Sequence, residues 1–328
     1  MTRLFFVALI LHTDGSVILM NIRYYLALER AHGIGSASLI EIHKSIQSVG
    51  ISLADLFGCS DAELRNEFVF GEAIYKGFDE ARKNLDAIDD EYCKMVEAGV
   101  SATFIFEEKY PSLLLKRLGN AAPPVLYSLG NFSLANEHSA ALLSASETSE
   151  KGVRIIHQSA IDCARHHITV AGGLSKGAGI AAHAAAVECG GQTIGILPCG
   201  FFTFQLSPRL ISVYDPDRFL LLSPFRPDEE YSAFHAMERN RCIIALSRAV
   251  FIVETPKDGG LMEAAKSAVK LSVPLYTAQY SEYPAGASGN EELMKSFNAL
   301  PVRGRREGET IIPNIEALIG AVKFGAVK

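Results

Sequence analysis

Three short stretches of the chain hold residue types suited to gripping an anion. The first, Ile168 to His183, reads as an apolar strand, a turn containing Gly172, Gly173, Ser175, Lys176 and Gly177, and a small-residue helix. Glycines there and at Gly179 let backbone N–H groups turn toward an anion, the helix start adds its positive dipole end, and Lys176 adds a full charge. A tight strand-to-helix turn packed through Ala and Gly accounts for the same residues equally well. The spacing matches neither the G-x-G-x-x-G dinucleotide fingerprint nor the G-x-x-x-x-G-K-[ST] loop.

The second stretch is Glu238-Arg239-Asn240-Arg241. Two guanidinium groups flanking an amide offer planar, multi-donor contacts to phosphates and base edges, although solvated helix charges or a salt bridge are the commoner use of such a run. The third is Glu254 to Glu263, a strand end followed by Gly259 and Gly260 opening a helix, as a further anion cradle or a plain turn. Elsewhere the chemistry is sparse. His166-His167 reads as a helix end, His183 as a packed or hydrogen-bonded histidine, and Asp89-Asp90-Glu91 as a solvated helix face. No cluster has zinc spacing and no nucleophile elbow occurs.

These residues need elements to hold them. The 328 residues are 48% apolar and 21% charged, enough for about two domains. Net charge is −6, with 12 Lys/Arg against 17 Asp/Glu over residues 1–130 and 19 against 20 thereafter. That balance excludes a broad polybasic surface, so nucleic-acid binding would need a local pocket. Six scattered cysteines without a C-x-x-C pair read as reduced, mostly buried cytosolic thiols. The apolar run Leu4–Leu11 is too short for a bilayer and lacks a cleavage site for a signal peptide, so no membrane association is expected.

Residues 1–19, ahead of Met20, read as a start-site extension or an extra strand. Residues 20–100 read as a helical module, with helices from Tyr24, around Gly33-Ile34-Gly35, over Leu53–Gly58 and Asp61–Phe68, and then one long helix striped by Ile74, Phe78, Ala81, Leu85, Ile88, Tyr92 and Val96. Ala102–Phe106 is a strand candidate, and Tyr110-Pro111 to Tyr127 a proline-punctuated connection. Beyond Asn131, strands near 140–144, 168–171, 192–197, 219–223, 250–254 and 274–278 alternate with helices near 152–166, 178–189, 232–247 and 260–271. Continuous apolar strands with helical crossovers predict an α/β fold: a mostly parallel, Rossmann-like sheet with helices on both faces, spanning 101–328, with ligands at the strands' carboxyl ends. A single helix pattern at Asn314–Phe324 follows, with no winged-helix domain.

The order of the pieces resembles the DNA-processing protein A (DprA/Smf) family. The resemblance runs from Gly33-Ile34-Gly35 and Tyr110-Pro111 through Pro124–Asn131, Gly172–Gly177, Ala181–His183 and Gly190–Gly200 to Arg239-Asn240-Arg241, Gly259-Gly260 and Gly289-Asn290. It implies an extended Rossmann-like domain that binds single-stranded DNA without catalysis or cofactor, forms a homodimer, protects incoming DNA and helps load a RecA-type recombinase in natural transformation. The helical module is similar to a SAM or helix-hairpin-helix element, but its acidity, with Glu29 and Glu41 nearby, favours packing or partner contact over DNA.

Departures from the family pattern fall on charge. Where the family writes Gly-Ser-Arg-Lys, this chain has Ser144-Ala145-Ser146-Glu147; an expected arginine is Lys176, an aspartate is Gly179, Ser-Glu is Ser223-Pro224 and Ser-Gly is Gly259-Gly260. Each lost phosphate contact flattens the salt dependence by up to about one unit of slope. Two rivals therefore stand: a nucleotide-sensing module on the same fold, and a nucleotide phosphoribohydrolase-like enzyme. The second needs Pro-Gly-Gly-x-Gly-Thr-x-x-Glu, of which Pro256–Glu263 keeps the glycine pair and the glutamate but not Gly-Thr.

Overall fold

The computed structural model describes residues 15–307 and 310–325. Two compact units divide the chain, residues 1–108 with 120–125 and residues 109–119 with 126–328. Residues 1–14 of the expected extension or strand lie outside the described residues. Within them, no helix is long and apolar enough to cross a membrane.

The first unit holds α1 (Gly15–Arg30), α2 (Ser36–Val49), α3 (Leu53–Gly58), α4 (Asp61–Glu67), α5 (Glu72–Lys83), α6 (Leu85–Glu97) and β1 (Ser101–Phe104). Helix α1 begins upstream of Tyr24 because no helix breaker interrupts Ser16 to Arg30. Helices α3 and α4 start at capping boxes, Ser52 with Asp55 and Ser60 with Glu63, which satisfy otherwise orphaned N–H groups. The long striped helix expected over 74–96 is two helices. Asn84, at φ −101° and ψ 2°, leaves helical geometry between α5 and α6 while the apolar spacing continues across the joint. The acidic run is also paired: Asp89 binds Arg23 at 2.7 Å and Glu91 binds Arg30, so it is no simple solvated face.

The second unit begins with α7 (Ser112–Leu118) and β2 (Val125–Gly130). Strand β2 replaces part of the expected connection, because Pro123 and Pro124 precede it and leave Val125–Tyr127 free to extend. There follow β3 (Ser139–Leu143), α8 (Glu150–Arg165), β4 (Thr169–Gly173), α9 (Ala178–Glu188), β5 (Thr193–Ile196), α10 (Pro208–Ile211), β6 (Phe219–Ser223), α11 (Ala233–Leu246), β7 (Ala249–Ile252), α12 (Gly260–Lys270), β8 (Leu275–Ala278), α13 (Asn290–Ser296) and β9 (Leu300–Val302). Strands β10 (Gly304–Glu307) and β11 (Thr310–Pro313) pair antiparallel, and α14 (Glu316–Phe324) closes the unit.

The sheet in this unit runs β2-β6-β5-β4-β3-β7-β8-β9. All pairs from β6 to β9 are parallel and only β2 opposes its neighbour. Ala140, Leu142, Val170, Phe251 and Val253 form one core with Ile156 of α8, Ala182 and Ala185 of α9, and Leu318 and Val322 of α14. Ala141, Leu143, Val250 and Ile252 alternate to the opposite face and are also buried, with α11 packed against β3, β4 and β5. Both faces are therefore covered, which is why the strands read as unbroken apolar runs. Three cysteines, Cys163, Cys199 and Cys242, are buried, while Cys93 and Cys189 are exposed, so burial covers half of the six and not most of them.

Candidate nucleic-acid interface

Chain order climbs outward from β3 through β4, β5 and β6 on one side and through β7, β8 and β9 on the other. The reversal leaves a crevice beyond the carboxyl ends of β3, β4 and β7, where open α/β sheets take ligands. A cavity of about 600 Å³ fills that place. It is lined by Ser144–Ser146 after β3, Gly173, Ser175 and Gly179 around the β4–α9 turn, Arg239 and Asn240 of α11, and Gly259 and Gly260 at the start of α12. Sequence reasoning missed Tyr231, Ala236 and Met237, also on its wall. One turn of helix separates Ala236 from Arg239 and Asn240, so the spacing carried that signal.

Arg239 dominates the electrostatics. Its Nε donates to Asn240 Oδ1 at 3.0 Å and its Nη1 to the Ile196 carbonyl at 3.4 Å, and among the described residues no carboxylate pairs with it. Lost hydration pushes its pKa down to about 10, against which Tyr231 and Cys199 pull upward, and it stays a cation at neutral pH. Asn240 is held in turn by its amide on the Gly260 carbonyl at 3.3 Å, linking α11 to the α12 turn. Arg117 donates to the Ile244, Ala245 and Ser247 carbonyls and so closes the other end of α11. The guanidinium sits directly over Gly173, where a Cβ would stand 2.1 Å from Arg239 Nη1.

The helix starts around the cavity differ. Helices α9 and α12, which follow Gly177 and Gly259, have no side-chain cap, so among the described residues no hydroxyl or carboxylate occupies their first N–H groups. Helix α8 is satisfied internally: Ser149 caps Gly152 N at 3.0 Å, and its N–H and hydroxyl both donate to Glu254, at 2.8 and 2.5 Å. Glu254 is wholly buried and also accepts from the Tyr280 hydroxyl at 2.7 Å. A carboxylate at a strand end gave no sequence signal for this role. It places the chain's own anion at the α8 N-terminus, beside the turn Ser144–Glu147, which holds no Lys or Arg.

The remaining expected residues fall outside the lining. Gly172 is buried in β4, where a Cβ would meet the Leu142 carbonyl at 3.1 Å and His183 Nε2 at 3.3 Å. Lys176 and Gly177 are exposed. Arg241 is partly buried and pairs with Glu238 at 3.5 Å. His183 is buried, with Nδ1 against Thr193 Oγ1 at 2.6 Å, and burial holds its pKa near about 4, so it is neutral. Acids reach the cavity only as Asp258 and Glu263, the latter paired with Lys266 at 2.6 Å.

Known proteins align with this arrangement. The profile of the family DNA recombination-mediator protein A matches residues 101–309. The DNA processing protein DprA of Streptococcus pneumoniae is 28% identical over 220 residues, covering 66% of this chain and 71% of that protein. The crystal structure of DprA from the same species superposes with a TM-score of 0.68 at 22% identity, over 85% of this chain and 94% of that one. A second solved structure, described as showing the single-stranded DNA binding mode of DNA processing protein A from Helicobacter pylori, superposes with a TM-score of 0.53 at 21% identity, over 62% and 90%. The mostly parallel sheet, its crevice and the match over residues 101–309 place this chain in the DNA recombination-mediator protein A family, the DprA/Smf DNA-processing proteins.

Proposed function

We propose that this protein binds single-stranded DNA in the crevice beyond β3, β4 and β7, without catalysing a reaction. The observation that carries the reading is Arg239, a partly desolvated guanidinium that lines the cavity and has no carboxylate partner among the described residues. Such a charge is satisfied by an arriving anion, and the uncapped starts of α9 and α12 add N–H groups for the same phosphate. Membership of a DNA-processing family, and a relative whose structure is described by its single-stranded DNA binding mode, support DNA as the source of that phosphate. Ser175, Gly173, Asn240, Gly259 and Gly260 shape the cradle; Lys176, Gly177 and Arg241 act from its margins, and Gly172 serves only the packing of β4 against His183.

The same reading extends to a cytoplasmic homodimer that protects incoming strands and hands them to a RecA-type recombinase, with family membership as its support. A nucleotide-sensing role is the second reading. It is favoured by a cavity of about 600 Å³ that has one Arg and no Lys in its lining, a scale suited to one small ligand.

Fluorescence anisotropy of labelled oligo-dT and a matched duplex, across salt concentrations, separates these. The single strand should bind preferentially and weaken with salt, and Arg239→Ala should cost about 10–100-fold in affinity, the worth of one charge-assisted contact. Absence of single-strand binding at low salt overturns the DNA reading, and saturable binding of mononucleotides in its place establishes the sensor. Release of free base from a nucleoside monophosphate, abolished by Glu263→Gln, would establish the enzyme.

A further inference from the structure

A second cavity, of about 740 Å³, opens between α8 and the carboxyl ends of β8 and β9. Its lining contains Lys151, Arg154, His157 and Arg303 and no Asp or Glu. The contrast with the first cavity is one of sign: there a single Arg shares the lining with Asp258 and Glu263. Neither Lys151 nor Arg303 pairs with a carboxylate among the described residues. Lys151 Nζ stands 5.0 Å over the Tyr280 ring, and Arg303 Nε donates to the Gln279 amide oxygen at 2.6 Å. Arg154 meets Glu150 at 3.8 Å, but with side chains 72% and 97% exposed that pair contributes little. The floor is apolar, from Val153, Tyr280, Val302 and Ile312, and Tyr280 is fixed by its hydroxyl on buried Glu254.

We propose that this cleft is a second nucleotide-phosphate site, with Lys151, Arg154 and Arg303 holding phosphate oxygens and the apolar floor accepting the sugar and base. A cationic rim over an apolar floor suits a ligand that is anionic at one end and aromatic at the other. The two cavities share the β3–α8 connection: Ser144–Ser146 line the first, and the second begins at Lys151. Five residues span at most roughly 18 Å between those Cα atoms, so one strand can meet both. The turn after β3, Ser144–Glu147, holds no Lys or Arg, and the nearest cations in the chain, Lys151 and Arg154, lie on α8. This extension to a continuous track rests on the single-strand reading; the phosphate site itself does not.

The test compares wild type, Arg239→Ala and the triple variant Lys151→Ala/Arg154→Ala/Arg303→Ala on oligo-dT of about six and about twenty nucleotides. On the long strand the triple variant should flatten the log–log salt slope by about 2, so that it loses about fifteenfold less affinity than wild type between 50 and 200 mM salt. On the short strand, held in the first cavity, it should bind within about twofold of wild type. A triple variant with the wild-type slope on the long strand overturns the proposal. So does equal flattening by Arg209→Ala/Lys270→Ala/Lys295→Ala, which removes three exposed cations elsewhere. If Arg239→Ala binds as wild type while the Lys151 triple variant fails, the first-cavity reading falls and this one stands. Displacement of the long strand from Arg239→Ala protein by dTMP, but not by inorganic phosphate, identifies free nucleotide as a ligand of the second site; no displacement identifies the strand.

Discussion

Glycine turns in the two units of this chain have the same local character and opposite fates. In the first unit, Gly33-Ile34-Gly35 sits between α1 and α2, and the neighbouring His32 N–H donates to the Glu80 carboxylate at 2.9 Å. Ile34 is buried against Gly77, where a Cβ would stand 2.6 Å from its Cγ1. In the second unit, the turns before α9 and α12 are uncapped and flank Arg239, a guanidinium with no carboxylate partner among the described residues. A glycine turn that exposes amides is thus a necessary feature of an anion site and not a sufficient one. What separates the cases among the described residues is that the first turn meets a carboxylate and no cation, while the second pair flanks a cation that no carboxylate pairs with. Glu254 at the start of α8 repeats the first case inside the second unit, beside a turn that has been left open.

The largest effect expected is on stability against pH, and it tests how sparing the cavity region is with charge. His183 has a pKa of about 4 in the fold against its ordinary 6.5, because burial lowers it, with Arg239 repelling the protonated form. The unfolded chain therefore binds the proton first. Stability is complete above about pH 6.5 and falls as pH drops toward 4, by roughly 3 kcal/mol for this group. Urea unfolding at pH 7 and 4.5 should show the loss, and His183→Gln should flatten it. An unchanged slope in the variant would mean that the region tolerates a second cation.

Gly173→Ala sharpens the contrast on the open side. The new Cβ lands on the flexible end of Arg239, so the guanidinium moves and the fold stays. Single-strand affinity should fall about 10–100-fold while the thermal midpoint shifts by only a few degrees. Affinity at the wild-type level would remove Arg239 from the site.

How much of this was legible depends on which residues carried it. Strands β3 to β8 announced themselves because a sheet covered on both faces needs unbroken apolar runs such as Phe219–Leu222 and Val250–Val253. Strand β2 was hidden by Pro123-Pro124, and the joint at Asn84 by a stripe whose period ignores a break. At the site, Gly173, Ser175, Arg239, Asn240, Gly259 and Gly260 were legible as types and spacings. That Arg239 lacks a carboxylate and Arg241 has Glu238 was not, since neighbours in sequence share a composition but face different ways on a helix. Glu254 was least visible: its partners Ser149 and Tyr280 are 105 and 26 residues away.

On the closed side, Gly77→Ala forces its Cβ against the Ile34 branch, and overpacking of this kind costs about 1–2 kcal/mol. Chemical denaturation should register that loss, with single-strand affinity unchanged. A fall in affinity as well would give the helical unit a share in binding.

Glu80→Gln is the smallest and the most discriminating change. It keeps an acceptor for the His32 N–H and removes only the charge, so the expected cost is about 1 kcal/mol or less. The carboxylate already occupies the His32 N–H beside this turn. Neutralising it should still leave single-strand affinity where it was, because no cation stands in for Arg239 among the residues of Gly33-Ile34-Gly35 and their partners Gly77 and Glu80. A gain in affinity, measured by anisotropy at low salt, would show that the helical unit is a DNA contact held shut by one carboxylate. The turns of the two units would then differ in a single charge and not in design.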